Sequence, residues 1–158
     1  MKLEIYNMAG HLIRRLNQIS VSVFQERIKA QGLDLTPVQF AAMNAIRANP
    51  GIDQARLAGM IAYDRATIGG VVDRLQAKGY VSRKTSARDR RARVVQLTEE
   101  GAATLARLTP VISELQKDIL SGLDEQEQVE FLRLATKAAA GGNHLSRAPL
   151  VTPEDKQS

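Results

Sequence analysis

Apolar residues near the amino terminus recur at intervals of three and four positions, which places them on one face of a helix. This stripe consists of Ile5, Ala9, Leu12, Leu16, Ile19 and Val23. The pattern predicts one long amphipathic helix from Ile5 to Val23.

The carboxyl-terminal half has the same periodicity in two segments. Thr98 is a favourable N-cap residue, and Glu99 and Glu100 follow it in the turn where acids stabilise a helix. The apolar side of this helix consists of Leu105, Leu108, Ile112, Leu115 and Ile119. In a terminal helix Asp124 and Glu127 take the N-cap and N3 positions. We expect its inward-facing residues to be Val129, Leu132 and Ala135.

The middle of the chain contains the start and stop signals of three shorter helices. Residues 36–39, Thr-Pro-Val-Gln, combine an N-cap, a proline at N1 and a capping-box glutamine, and Asn-Pro-Gly at 49–51 ends that helix. A short helix is predicted from Asp53 to Ile61, and the turn 62–64 separates it from a longer helix over 65–78 that Gly79 terminates. This order, helix, tight turn and helix, is typical of DNA-binding proteins.

Two extended segments follow, Tyr80 to Lys84 and Arg93 to Leu97, joined by a long polar tip over 85–92. Residues 78–93 hold one acid, Asp89, and the seven cations Lys78, Arg83, Lys84, Arg88, Arg90, Arg91 and Arg93. The planar guanidinium group of arginine binds phosphates and enters narrow minor grooves, so the pattern favours a hairpin that contacts duplex DNA. The alternative is a solvated charged loop, but such loops normally interleave acids. The net charge of +5 and pI near 9.8 also favour an anionic partner.

The first turn of the second helix offers side chains that reach base edges or phosphates, and Gln54 at the start of the preceding helix is placed to anchor a phosphate. Arg74 lies further along, where the alternative is a contact with Asp73 or with a neighbouring helix. The residues predicted to contact DNA in this helix pair are Gln54, Arg65, Ala66, Thr67, Gly70, Arg74 and Lys78.

Gly69 and Gly70 stand inside the second helix, where each costs about 1 kcal/mol relative to alanine. Either the helix backbone approaches DNA closely here, or the preceding helix crosses it with no side chain between. We favour the crossing, with Val71, Val72 and Leu75 as the buried face.

Composition disfavours enzyme and membrane functions. The chain has no cysteine, which excludes disulfides, thiolate nucleophiles and zinc-thiolate sites. Its two histidines, His11 and His144, lie at opposite ends, and no metal-ligand spacing or phosphate-binding glycine loop is present. We therefore expect no catalytic residues, no metal and no cofactor. Charged residues interrupt the amino-terminal apolar positions, so we expect no secretory signal and a cytoplasmic protein.

Three segments, LTPVQFAAMNAI, QARLAGMIAYDRATIGGVVDRLQAKGYVSR and DRRARVVQLTEEG, resemble the MarR family of transcriptional regulators. The resemblance covers roughly residues 5–138 and identifies the cationic hairpin as a wing. In that family an acid of the wing orients an arginine that enters the minor groove. Here it implies that Asp89 orients Arg91, with Arg90 between them and Arg88 beside them. The glycine pair and the long tail depart from the family pattern and leave the operator sequence open.

The resemblance also implies a small-molecule pocket between the dimerisation helices and the DNA-binding lobe, often occupied by aromatic acids. A carboxylate ligand needs a cationic or donor group there. The branch that controls aromatic and pyridine-carboxylate breakdown is similar, so an aromatic carboxylate is the predicted effector. The candidate residues are Tyr6, His11, Arg15, Phe40 and Met43. Core packing, a dimer contact or a solvated charge are the alternatives for each.

The sequence thus predicts a mainly α fold with a small β-wing. Residues 1–138 form one domain, in which 36–97 are a winged helix-turn-helix lobe and 5–30 and 98–138 are dimerisation helices. Residues 139–158 form a tail that is either flexible or docked on the partner. The predicted function is a homodimeric repressor that binds double-stranded DNA at an inverted repeat and is released by the effector, with no membrane partner. A sequence-indifferent architectural DNA-binding protein and an activator of the same fold are the alternatives.

Overall fold

The computed structural model of the chain describes residues 1–156 and is mostly helical. Its α-helices are α1 (Ala9–Ala30), α2 (Pro37–Ala48), α3 (Gln54–Met60), α4 (Ile68–Ala77), α5 (Glu99–Ile119) and α6 (Glu125–Gly141). Its strands are β1 (Ile52–Asp53), β2 (Val81–Thr85) and β3 (Arg93–Leu97). Short 3-10 helices cover Glu4–Asn7, Asn143–Leu145 and Pro153–Lys156. The predicted fold class, mainly α with a small β-wing, is confirmed.

Side-chain caps begin the helices where the sequence predicts them. The Thr36 hydroxyl accepts a hydrogen bond from the Gln39 backbone N–H at 3.1 Å, and the Gln39 side chain accepts one from the Thr36 N–H at 3.2 Å. Asp124 and Glu127 form the same reciprocal capping box. Asp53 caps α3 through the Arg56 N–H at 2.8 Å. These bonds satisfy amide groups that the first turn of a helix leaves without partners.

The first predicted helix is broken near its start. A 3-10 turn covers Glu4–Asn7, extended Met8 follows, and α1 begins only at Ala9. Ile5 therefore lies outside the helix that carries the rest of the predicted stripe.

The three strands form one antiparallel sheet in the order β1, β3, β2. Val81 pairs with Leu97 and Thr85 with Arg93, so the hairpin has the predicted architecture, with β2 displaced by one residue. The two-residue strand β1, in which Ile52 pairs with Val95, is too short for an alternating pattern and was not predicted.

The start of α5 holds the base of the hairpin. The Thr98 hydroxyl donates to the Gly79 carbonyl at 2.6 Å, and the Thr98 N–H donates to the Tyr80 carbonyl at 3.0 Å. A Cβ at Gly101 would lie 2.0 Å from the Tyr80 carbonyl oxygen. Glycine is required at position 101 because the backbone of Tyr80, just before β2, occupies the space that a side chain would need.

One hydrophobic core joins the lobe formed by α2 to β3 with the second half of α1 and with α5. Phe24 and Ile28 bring α1 into it, and α1 and α5 pack along each other. The predicted α5 stripe is buried in this core, where Leu105, Leu108 and Leu115 have no exposed surface. The stripe is therefore packed within the chain, and variants at Leu115 would test folding before they tested a dimer.

The other end of the helical region has uncovered apolar side chains. α6 has no buried residue, and Val129 and Leu132 are 69% and 57% exposed, so the inward orientation predicted for them is wrong within a single chain. The physical reason is that α6 forms no extensive contact with α1 or α5 of its own chain. On the amino-terminal side the large exposed apolar residues are Met1, Leu3, Ile5, Tyr6, Met8, Leu12, Ile13 and Ile19.

The carboxyl-terminal tail turns back onto α3 of its own chain. α6 continues to Gly141, past the predicted boundary at residue 138, and the Val151 N–H then donates to the Gly59 carbonyl at 2.9 Å. The described tail is thus docked in place, which differs from the flexible alternative. Docking on a partner subunit stays a prediction, and residues 157 and 158 lie outside the described part.

Candidate nucleic-acid interface

The turn between α3 and α4 presents the predicted base-reading residues. Ala62 has a left-handed backbone with φ of 52°, and the Asp64 carboxylate accepts a hydrogen bond from the Ala66 N–H at 2.9 Å. This local bond holds residues 65–67 in a turn, so α4 begins at Ile68 and not at Arg65. Arg65, Ala66 and Thr67 are all exposed immediately before the helix.

The glycine pair in α4 does not mark a helix crossing. A Cβ at Gly69 would lie 3.7 Å from the Gln54 amide nitrogen, and one at Gly70 would lie 3.8 Å from an Arg74 guanidinium nitrogen. These are ordinary contacts with flexible side chains, so the favoured explanation from sequence is wrong. Close approach of DNA to Gly70 stays a prediction.

The wing tip is a turn organised by short polar side chains. The Ser86 hydroxyl accepts from the Arg88 N–H at 3.2 Å, and the Asp89 carboxylate accepts from the Arg91 N–H at 2.9 Å. Asp89 therefore positions the backbone from which the Arg91 side chain projects, and its hydrogen bond does not engage the guanidinium. Arg88, Arg90 and Arg91 are exposed and form no ion pair within residues 1–156.

A concave surface connects the wing with the helix pair. It encloses a cavity of about 500 Å³, and four of the predicted DNA-contact residues line it: Gln54, Arg65, Asp89 and Arg91. The fold thus brings together side chains that are up to 37 residues apart in sequence, 91 minus 54. Its lining holds three arginines, Arg65, Arg91 and Arg93, and two acids, Asp53 and Asp89, and the exposed turn 65–67 lies beside it. The arginines are suited to contact the sugar-phosphate backbone.

Arg83 has a structural role that sequence reasoning missed. Its guanidinium donates to the Gln54 side chain at 2.9 Å and to the Gln76 side chain at 3.0 Å, and it forms an ion pair with Asp73. One arginine of β2 therefore fastens the wing to both helices and orients Gln54. Because Asp73 is engaged by Arg83, the interpretation of Arg74 as the partner of Asp73 is wrong, and Arg74 is exposed.

Lys78 is held inside the lobe. Its ammonium donates to the Gln39 side chain at 3.0 Å and to the Asp34 backbone carbonyl, and it lies 3.7 Å from the Asp34 carboxylate. Gln39 is itself 4% exposed, so Lys78 satisfies a buried amide oxygen. Lys78 would have to leave these partners to reach a phosphate.

The predicted effector residues divide into two groups. Tyr6 and His11 lie near each other, with ring centroids 5.8 Å apart, and Arg15 is exposed one turn further along α1. In contrast, Phe40 packs edge-on against Phe24 with a centroid separation of 6.2 Å.

Met43 has no exposed surface and belongs to the core, which favours the core-packing alternative for this residue. Its placement on a pocket wall stays a prediction. The apolar α2 pattern surrounds it with packed side chains. The effector role of Tyr6, His11, Arg15 and Phe40 stays a prediction.

Across residues 1–156, no helix combines the length and the apolar character needed to cross a bilayer. No group of three or more potential metal ligands occurs in the same range.

A model of the MarR family matches residues 33–92. Over 134 residues the chain is 34% identical to the HTH-type transcriptional repressor NicR of Pseudomonas putida, and the match covers 85% of this chain and 84% of that protein. A structure concerned with the regulation of DNA binding of Bordetella bronchiseptica BpsR by 6-hydroxynicotinic acid superimposes with a TM-score of 0.79 at 28% identity. That match covers 89% of this chain and 99% of the other. A mutant of Escherichia coli MarR complexed with operator DNA gives a TM-score of 0.77 at 26% identity, covering 87% and 99%.

Proposed function

Since this chain belongs to the MarR family, we propose that it is a homodimeric transcriptional repressor that binds an inverted-repeat operator and is released by a small aromatic acid. It acts in the cytoplasm by binding DNA and the effector, without catalysing a reaction. The observation that carries the proposal is the shared concave surface on which Gln54, Arg65, Asp89 and Arg91 meet.

In this proposal the turn 65–67 and the start of α4 enter the major groove. Arg65 and Thr67 have the donors and acceptors to contact base edges or phosphates. The wing lies alongside, where Arg90 and Arg91 reach a minor groove or its phosphates, because arginines without acidic partners are attracted by the negative potential there. Arg83 keeps the two parts in a fixed relation through Gln54 and Asp73.

The dimer follows from the apolar side chains that one chain leaves uncovered. Residues 5–30 and 98–138 form the dimerisation region, and 36–97 form the DNA-binding lobe. Exposed Ile13 on α1 and exposed Leu132 on α6 would be covered by the second copy. The two lobes then meet successive major grooves about 34 Å apart.

The released state is stabilised by the effector. BpsR, whose DNA binding is regulated by 6-hydroxynicotinic acid, has the same fold, and the similar protein NicR is a repressor. We therefore propose an aromatic carboxylate as the effector class. Arg15, with His11 and Tyr6 near it, is the proposed carboxylate-binding group. The ligand lowers DNA affinity only as far as it prefers the conformation that does not bind DNA.

The proposal is tested by removing single cations and measuring DNA binding by fluorescence anisotropy over a range of salt concentrations. Arg91→Ala should weaken binding and reduce the salt slope by about one, because one phosphate neutralisation is lost. Arg65→Ala should weaken binding most for the preferred sequence, because that residue is proposed to reach base edges.

Lys117→Ala is the matched control. It removes one exposed cation near the far end of α5, about 27 Å along the helix from its start. Equal losses for Arg91→Ala and Lys117→Ala would mean that only net charge matters. A Kd ratio near one between specific and random duplex would favour the architectural alternative.

A further inference from the structure

The tail after α6 has a defined conformation. The Asn143 side-chain amide donates to the Leu150 carbonyl at 2.9 Å, and the Leu150 N–H donates to the Asn143 side-chain oxygen at 2.8 Å. These two bonds close the loop 143–150, and the Ser146 hydroxyl accepts the Ala148 N–H at 3.1 Å within it. The loop is therefore built to present the residues that follow it.

Arg147 of this loop and Val151 after it both contact the helix-turn-helix. The Val151 N–H donates to the Gly59 carbonyl at 2.9 Å, and the Arg147 guanidinium lies 3.3 Å from the Asp64 carboxylate. A Cβ at Gly59 would lie 3.2 Å from the Val151 Cβ, which is closer than side chains normally pack. The tail can sit here because position 59 has no side chain.

A cavity of about 530 Å³ lies between the tail and α3, within the range of small-molecule sites. Apolar groups of Met60, Pro149 and Val151 contribute to its wall. Three guanidinium side chains line it as well, those of Arg56, Arg65 and Arg147.

The charges around this cavity are unbalanced. Asp64 also lines it, but its carboxylate is engaged by Arg147 and by the Ala66 N–H. Arg56 and Arg65 form no ion pair in the part of the chain that the structure describes. An apolar wall with cations that lack acidic partners selects an anion with an apolar body.

We propose that this tail-covered cavity is a second ligand site, which binds a small apolar molecule bearing one carboxylate. It is distinct from the proposed effector site around Arg15, and it does not depend on that site. DNA phosphate is the less favoured occupant, because a phosphodiester backbone gains nothing from the wall that Met60 and Val151 provide.

The position of the cavity connects it to DNA binding. Arg65 lines this cavity and also the concave surface beside the wing. A carboxylate bound to Arg65 competes with DNA for the same guanidinium. This consequence rests on the proposed function, whereas binding in the cavity does not.

The test uses 2-naphthoate as the probe and 2-naphthamide as its uncharged match, with the full-length protein labelled for NMR. We expect 2-naphthoate to shift the backbone amide signals of Val151 and Arg65, and 2-naphthamide to need at least a tenfold higher concentration. Gly59→Leu should raise the midpoint at least tenfold by displacing Val151. Gly122→Leu is the control, since no atom lies within 4 Å of a Cβ there.

A second variant covers the case in which Gly59→Leu disturbs folding. Val151→Asp changes a tail residue outside the core and places a like charge beside the ligand, so it should also raise the midpoint at least tenfold. Unchanged midpoints for both variants, equal binding of the two probes, or shifts confined to α1 and α2 would each overturn the proposal. Shifts of the Val151 signal with duplex DNA but not with 2-naphthoate would assign the site to phosphate and overturn it as well.

DNA affinity without ligand is measured on the same samples. If no duplex binds, the proposed function fails, while the midpoints for 2-naphthoate still decide the second site.

Discussion

The DNA-binding lobe and the ends of the helical region differ in how much of their apolar surface a single chain buries. In the lobe, Leu57, Val72 and Leu75 have no exposed surface, and a continuous core surrounds them. At the ends, Ile13 and Val129 are 66% and 69% exposed. Contacts within one chain bury the apolar side chains of the lobe, whereas the helical ends need a second copy to bury theirs.

We expect the largest effect from variants that place charges among the exposed apolar side chains of α1 and α6. The double variant Ile13→Asp with Leu132→Asp should be monomeric in sedimentation, because it places charges in the proposed interface. Operator affinity should then fall by about 10²–10⁴, since two linked lobes no longer bind together. The circular dichroism spectrum should remain that of a folded helical protein. Gln126→Asp, an exposed polar change on α6, is the control, and a double variant that still sediments as a dimer would refute this interface.

A core truncation in the lobe should act on stability instead. Leu75→Ala removes a fully buried side chain and should lower the free energy of unfolding by about 2–5 kcal/mol in denaturant titrations. Leu145→Ala makes the same truncation at a side chain that is 80% exposed and should cost less than about 0.5 kcal/mol. Similar losses for the two variants would contradict the contrast drawn above.

We expect a smaller effect at the contact between Gly101 of α5 and Tyr80, where the helical region meets the lobe. Gly101→Ala inserts a methyl group where the Tyr80 carbonyl lies, and should cost about 1–3 kcal/mol because the backbone at Tyr80 must shift. Gly122→Ala has open space around it and serves as the control. If both variants melt at the temperature of the wild type, the close packing of α5 on the Tyr80 backbone is not as described.

Sequence periodicity predicted the helices well wherever local signals define their ends. The capping residues Thr36, Asp53, Thr98 and Asp124 all begin helices as expected. Two features depend on distant contacts and were missed: the strand β1, which exists through pairing with β3, and the return of the tail to α3. Periodicity also predicts that a stripe is buried without indicating whether its own chain or a second one buries it, which explains the wrong inward orientation predicted for Val129 and Leu132.

The sequence predicted the charge of the nucleic-acid interface better than the contacts that its side chains make. The cationic hairpin is visible in the sequence, and Asp89 was rightly assigned to the wing turn, although its bond goes to the backbone of Arg91. The contacts of Lys78 with Gln39 and of Arg83 with Gln54 could not be predicted from sequence, because they join residues 39 and 29 positions apart along the chain. Asp64 gives a local signal that could have moved the start of α4, since a turn aspartate competes with helix formation.

The central claim, that two such lobes read one inverted repeat, is tested most directly by selecting binding duplexes from a random pool with the full-length protein and sequencing them. The account predicts an enriched inverted repeat whose half-sites are centred about 10–10.5 base pairs apart, with affinity at least about 10³ above that for random duplex. A selected pool with no shared motif, or with single half-sites alone, would contradict it.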